Sequence, residues 1–327
     1  MSNLLRILAI LAISPLLSFP SGAEEPPPSF VGAQPAAREI LLKFKGSVSF
    51  NTRLEASSNL FEWSPLATFP KSAATLEHTD SSAAYMSSRY YRIIRLTSTN
   101  AIAGDHLSTA DGDVVVRPIN HATMVIGWKD KVIYVDPTGG AARFTGLPKP
   151  TMVLVTDIHG DHLDSPTLNA IGAADADIIA PQAVLSMLST ALRGKTQVLA
   201  NGAKTEKQGV GIEAVPMYNI TPARLSYHSK GRGNGYVLTI GGTRLYVSGD
   251  TEDIPEMRAL QNVDAAFLCM NLPFTMNVDQ AASASREFRP KIVFPYHWSG
   301  TSNSDLAKFK TLVGTDLGIE VRMRKWY

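Results

Sequence analysis

The chain has 327 residues, enough for two domains and at least one sizeable core. A hydrophobic share of 44%, a charged share of 18% and a net charge of +2 with both signs interspersed describe an ordinary globular protein and exclude nucleic acid or an anionic membrane surface as a charge-driven partner. One cysteine, Cys269, excludes an intramolecular disulfide.

At the N-terminus, Arg6 precedes an apolar run over residues 7–17, and Ser21-Gly22-Ala23 places small residues before Glu24. This is the order of a secretory signal peptide, so residues 1–23 are read as one. The run is short for a membrane span. The expectation is a periplasmic or secreted chain with no integral membrane segment after signal removal. Pro26-Pro27-Pro28 marks residues 24–37 as a Pro-rich linker.

Residues 38–97 alternate apolar and polar positions in short runs punctuated by Ser, Asn, Pro and Gly, the pattern of a small all-β module. The stretch from Leu54 to Trp63, closing with Arg89-Tyr90-Tyr91-Arg92, resembles β-sandwich modules of bacterial exported proteins. Trp63, Tyr90 and Tyr91 are read as core, because a small sandwich needs large aromatics, rather than as a carbohydrate platform. His78 and His106 are read as surface residues. Residues 98–112, rich in Ser, Thr, Ala, Gly and Asp, read as a second linker.

From residue 113 to 327 strand and helix patterns intersperse, which predicts one α/β domain. Strands are expected at 114–116, 123–128, 131–135, 152–156, 177–180, 197–200, 212–216, 236–240, 243–248, 265–269 and 291–295. Helices are expected at 167–173, 181–192, 254–260, 278–287 and 303–312.

An apolar run ends at Thr156, and Asp157, His159, Asp161 and His162 follow within six residues. Ligands alternating at an extended strand end point the same way, which suits a metal centre that activates water. Ser248-Gly249-Asp250 and Tyr296-His297 also fall at strand ends, so Asp250 and His297 can converge on the same rim.

This order resembles the metallo-β-lactamase superfamily over residues 113–327. The family's His-x-His-x-Asp-His corresponds to Asp157-Ile158-His159-Gly160-Asp161-His162, with Asp157 in the place of the first histidine. Asn120-His121-Ala122-Thr123 and Tyr134-Val135-Asp136-Pro137 look like the branch of ascorbate-6-phosphate lactonases and N-acyl-phosphatidylethanolamine phospholipase D. The resemblance implies an αββα sandwich preceded by the β module. It also implies two divalent metal ions, zinc first with manganese or iron as alternatives. One ion would be held by Asp157, His159 and Asp250, the other by Asp161, His162, Asp250 and His297, with Asp250 bridging. A further ligand, usually histidine, is missing after the strand at 212–216; Asn219 and His228 are both candidates.

The implied activity is hydrolysis of a lactone, ester or phosphodiester in a small-molecule or lipid-like substrate, by a hydroxide held between the ions. Asp161 or Asp250 would orient that hydroxide, and His121 or His228 would protonate the leaving group. The rival readings are a phospholipase-D-like phosphodiesterase and a surface- or carbohydrate-binding protein with a decayed hydrolase domain. Cys269 is read as inert packing. The segment 229–235 is read as a flexible basic loop, solvated or able to grip phosphate. Tyr218, Phe274, Tyr296 and Trp298 are candidates for a pocket wall or for core.

Overall fold

A computed structural model describes residues 6–9, 25–36, 39–96, 102–298 and 303–327. The chain forms two compact units: the described residues up to Ser108 with Val115–Arg117, and Thr109–Val114 with Pro118–Tyr327.

The first unit is all-β. Glu39–Lys45 lies between Ser29–Ala36 and Thr75–Asp80 in an antiparallel sheet, and Asn51–Ser57 lies between Ser64–Phe69 and Ser88–Leu96 in another. Ile40, Leu42 and Phe44 alternate on one strand and meet Leu54, Ala56, Tyr91 and Ile93 from the other sheet, all buried. Of the three aromatics assigned to the core, only Tyr91 is in it. Trp63 stays partly exposed under the Arg92 guanidinium, 4.4 Å from its ring centroid. His78 and His106 are buried, not on the surface, and His106 Nε2 sits 2.8 Å from Thr68 Oγ1.

Two segments read as linkers contain strands. Ser29–Ala36 pairs with Glu39–Lys45 as an edge strand, a place where a strand tolerates a proline such as Pro35. Gly104–Leu107 pairs with Ser64–Phe69. Of the expected signal peptide, only Arg6–Ala9 falls among the described residues, as a short strand beside Ser88–Leu96.

The second unit is a mixed α/β structure, rich in sheet, with the metallo-β-lactamase fold. Thr123–Trp128 pairs antiparallel with Lys131–Val135, which continues in parallel to Met152–Leu154, Asp177–Ala180 and Thr196–Val198. The other sheet runs Lys204–Lys207, Val210–Met217, Gly233–Ile240, Thr243–Val247, Ala265–Met270, Ile292–Trp298 and Glu320–Val321. Its last four strands are parallel, and Ala265–Met270 is buried at every position, as parallel strands covered on both faces must be.

The longest helices are Val278–Phe288, closed at its start by an Asn277–Gln280 capping box, and Asn303–Val313. The helix expected over 181–192 is instead two short ones, Gln182–Met187 and Thr190–Arg193, because Leu188 and Ser189 between them are extended. Among the described residues, no helix is long and apolar enough to cross a membrane.

Candidate metal centre

The C-terminal ends of the parallel strands carry the chemistry. Met152–Leu154 leads into Thr156 and Asp157, after which a tight turn, His162 N–H to His159 O at 2.9 Å, stacks the motif's polar side chains. Asp164 ends that turn as N-cap of the helix Ser165–Ala170 and takes no part in the cluster.

Thr243–Val247 delivers Asp250 through Gly249, whose φ of +60° needs glycine and whose Cβ position lies 2.5 Å from Met217 Sδ. Ile292–Trp298 delivers His297 at a bulge: Cys269 pairs with Tyr296 and Met270 with Trp298, so His297 is the extra residue. His297 has φ +45°, and Asp136 and His121 have +46° and +54°. These left-handed backbones on non-glycine residues cluster at the site, where such strain is commonly held.

Asp161, His162, Asp250 and His297 offer ligand atoms that all lie within 4.8 Å of one another. His162 Nε2 is 3.3 Å from Asp250 Oδ2 and 3.1 Å from His297 Nε2; His297 Nε2 is 3.0 Å from Asp250 Oδ1. Behind them, Asp136 follows Lys131–Val135 and accepts from Thr156 N–H at 2.8 Å, Thr156 Oγ1 at 2.6 Å and His162 Nδ1 at 2.8 Å.

His121 also reaches the cluster, its Nε2 3.1 Å from Asp161 Oδ2 and its Nδ1 2.6 Å from Tyr327 Oη. Asp161 is the open member, with 41% of its side chain exposed.

A second group, Asp157, His159 and His228, meets the same 4.8 Å spacing. His228 Nε2 is 3.2 Å from Asp250 Oδ2, so His228 lies among the candidate ligand atoms. Asn219 braces the loop through its amide nitrogen and backbone, while its Oδ1 is buried without a hydrogen-bond partner. Its Nδ2 donates to the Arg224 and Phe274 carbonyls and its N–H to the His228 carbonyl. Fully buried Glu252 fixes the same loop, accepting from Ile220 N–H, Thr221 N–H and Arg224 Nη1.

The electrostatics suit a cation. Burial would raise the Asp250 carboxyl, but the His297 and His162 charges hold it well below the usual range. Burial would lower His162, but the Asp250 and Asp136 carboxylates raise it well above its ordinary value. The Oδ1 of Asp250, both ring nitrogens of His228 and the Oδ1 of Asn219 are buried without a hydrogen-bond partner, and the orphaned Asp250 oxygen, inside the four-residue ligand-type set, marks an ion's place. These residues therefore fit a divalent metal.

Other expectations resolve plainly. Cys269 is buried, with burial pushing its thiol up to about 11 and the Asp250 charge adding to it, so it is inert packing. Tyr296 and Trp298 are core. The segment at 229–235 is not a free basic loop. Gly233, Asn234 and Gly235 are buried strand residues, Lys230 is paired with Glu256 at 2.7 Å and Arg232 with Asp157 at 2.7 Å. Asp136 and Arg232 are the contributors that residue-type reasoning missed. Asp136 stood in a recognised motif without a role, and Arg232 was hidden in a glycine-rich stretch.

Residues 116–297 match the family described as the β-lactamase superfamily domain. The UPF0173 metal-dependent hydrolases of Pyrococcus abyssi and Thermococcus onnurineus are 29% identical over 213 residues and 31% over 215, each alignment covering 62% of this chain and 92% of the relative. A crystal structure from Parabacteroides distasonis, provisionally named as a metal-dependent hydrolase, is 41% identical. It covers 68% of this chain and 99% of its own, with TM-score 0.63. Igni18 of Ignicoccus hospitalis shares the fold at 21% identity and TM-score 0.53, over 65% of this chain and 95% of its own. The chain belongs to the β-lactamase superfamily and, within it, to the UPF0173 metal-dependent hydrolases.

Proposed function

We propose that this hydrolase is exported and cleaves a lactone, ester or phosphodiester in a small or lipid-like substrate. The observation that carries the reading is the convergence of Asp161, His162, Asp250 and His297 within 4.8 Å. A divalent ion bound there, zinc in the first instance given two imidazoles and two carboxylates, would supply Lewis acidity and acidify water.

The chain's own residues supply the rest. Half-open Asp161 orients the attacking water through its free oxygen surface, and Asp250 fixes the geometry from within. His121, partly exposed and 3.1 Å from Asp161, carries the proton to the leaving group at Nε2, while Tyr327 Oη holds its Nδ1. His228 is 1% exposed and aimed at Asp250, a poor position for a leaving group.

An apolar substrate portion has a place to lie. A cavity of about 420 Å³ is lined by Tyr218, Asn219, Ile220, Leu225, Ser229 and Lys230, and Ile220, Leu225, Leu272 and Phe274 are exposed apolar side chains on neighbouring loops. The lactonase and phospholipase-like bond types rest on the resemblance of the motifs at Asn120–Thr123 and Tyr134–Pro137; in the structure Thr123 Oγ1 donates to the Asp136 carbonyl, so both motifs lie behind His162. A decayed, non-catalytic domain is opposed by the complete ligand cluster.

The test is a panel of lactones, aryl esters and phosphodiesters with the zinc- or manganese-loaded full chain, beside the chelated protein. Metal-dependent turnover of one class supports the reading; no turnover of any class, with metal bound, sinks the substrate assignment. Export is tested by fractionating expressing cells and sequencing the mature N-terminus, with cleavage after Ala23 expected.

A further inference from the structure

The aspartate that stands in a histidine's place has a partner far along the chain. Arg232 Nε donates to Asp157 Oδ1 at 3.0 Å, and Nη2 donates to Asp157 Oδ2 at 2.7 Å. The same Nη2 lies 3.4 Å from His159 Nε2. This guanidinium thus contacts two members of the group Asp157, His159 and His228 and uses both oxygens of a carboxylate with no exposed surface.

We propose that Arg232 itself supplies the positive charge at this first position, and that the protein holds a single divalent ion, at Asp161, His162, Asp250 and His297. The inference rests on the metal-dependent reading above and specifies its stoichiometry.

Three arguments support it. The first is geometric: the guanidinium fork engages both Asp157 oxygens, and His159 Nδ1 lies 2.9 Å from Oδ2, so the carboxylate and one nitrogen of His159 are already engaged with each other and with Arg232. The second is charge. Asp157 and Arg232 already neutralise each other, and a divalent ion next to the guanidinium would face a like charge in a buried, poorly screened place. Among the described residues, no Lys or Arg approaches Asp161 or Asp250, whose partners are all histidines.

The third is that the pair is held by backbone. Asn234 N–H donates to the Thr156 carbonyl at 2.9 Å, tying the residues beside Arg232 to the residue before Asp157. Gly233 sits so close that a Cβ would lie 2.8 Å from that same carbonyl. The backbone beside Arg232 is therefore held against the backbone beside Asp157. His228, without a full ligand set, is left beside Asp250 at 3.2 Å.

The experiment loads the full chain with zinc alone or manganese alone, removes excess ion, and measures ions per chain by elemental analysis. Manganese spectra are recorded by electron paramagnetic resonance. One ion per chain with a single-ion manganese spectrum is expected. In Arg232→Ala the count rises to two and the spectrum becomes spin-coupled. Arg232→Gln, neutral but similar in size, gives the same rise if the alanine variant fails to fold. Two ions in the unaltered chain, or one ion in a folded Arg232→Gln, overturns the inference and leaves the hydrolase reading intact. No ion in the unaltered chain overturns both.

Discussion

His162 Nδ1 lies 2.8 Å from Asp136 Oδ2, and neither side chain has any exposed surface. The contact leaves Nε2 as the nitrogen that faces Asp250 and His297, so a residue that touches no ion or substrate sets the orientation of one that does. Asp136→Asn is expected to weaken metal binding by about 10–100-fold, the range for such outer carboxylates. Titration against a competing chelator reads it directly, and unchanged affinity in a folded variant would remove Asp136 from this role.

Asp250 is the hub of the centre. Its Oδ2 is approached by His162 and His228 and its Oδ1 by His297, at 3.0 to 3.3 Å. Asp250→Ala leaves three imidazoles with no shared carboxylate. Bound metal and hydrolysis are expected to fall together to background while circular dichroism stays native. Retention of stoichiometric metal in the variant would show that the histidines and Asp161 suffice.

The first unit has its own buried charge. Asp80 accepts from Arg89 Nε at 2.8 Å, Tyr91 Oη at 3.0 Å and Ser82 N–H at 3.0 Å. Burial alone would raise its pKa; the Arg89 charge and the Arg89 and Ser82 hydrogen bonds hold it below the ordinary 3.8. A carboxyl depressed in the folded state stabilises above its unfolded pKa and loses that contribution as pH falls through the lower folded value. Asp80→Asn should therefore cost about 3 kcal/mol at pH 7, as removing one partner of a buried pair does, and progressively less below about pH 4. Thermal melts of both proteins from pH 7 to pH 3 check it; a pH-independent difference would refute the charge argument.

What the sequence showed, and what it hid, follows from range. Asp161, His162, Asp250 and His297 were legible because each lies at or just beyond the C-terminal end of a strand. The strands around them were legible because buried parallel strands are continuous apolar runs. His228 was ambiguous because it lies beyond a loop whose path is set by Asn219 and by Glu252, and no spacing rule fixes such a path. Arg232 reads as a solvated cation in a glycine-rich stretch, yet Gly233 and Gly235 are tight strand positions: a Cβ on Gly235 would sit 2.7 Å from the Ser248 carbonyl. Pro26 to Pro28 suggested a linker, and only pairing with Glu39–Lys45 shows that the chain becomes an edge strand immediately afterwards. Periodicity locates elements; it does not report contacts between residues tens of positions apart.

Gly249 links backbone conformation to the metal. Its φ is +60°, and a Cβ there would meet Met217 Sδ at 2.5 Å and the Asn234 carbonyl at 3.1 Å. Gly146 has φ +79° but nothing within 4 Å of its Cβ position. Both alanine variants incur the left-handed cost of about 1–2 kcal/mol, so Gly146→Ala should lower the melting temperature modestly and leave metal content unchanged. Gly249→Ala adds a clash, and the carbonyl it meets cannot move without disturbing the Gly233–Ile240 strand. The chain relaxes by shifting the residue that follows, which is Asp250. Its melting temperature should fall further than that of Gly146→Ala, and its metal affinity should fall with it. Equal melting temperatures and equal metal contents for the two variants would mean that Met217 yields freely and that Gly249 serves only the turn.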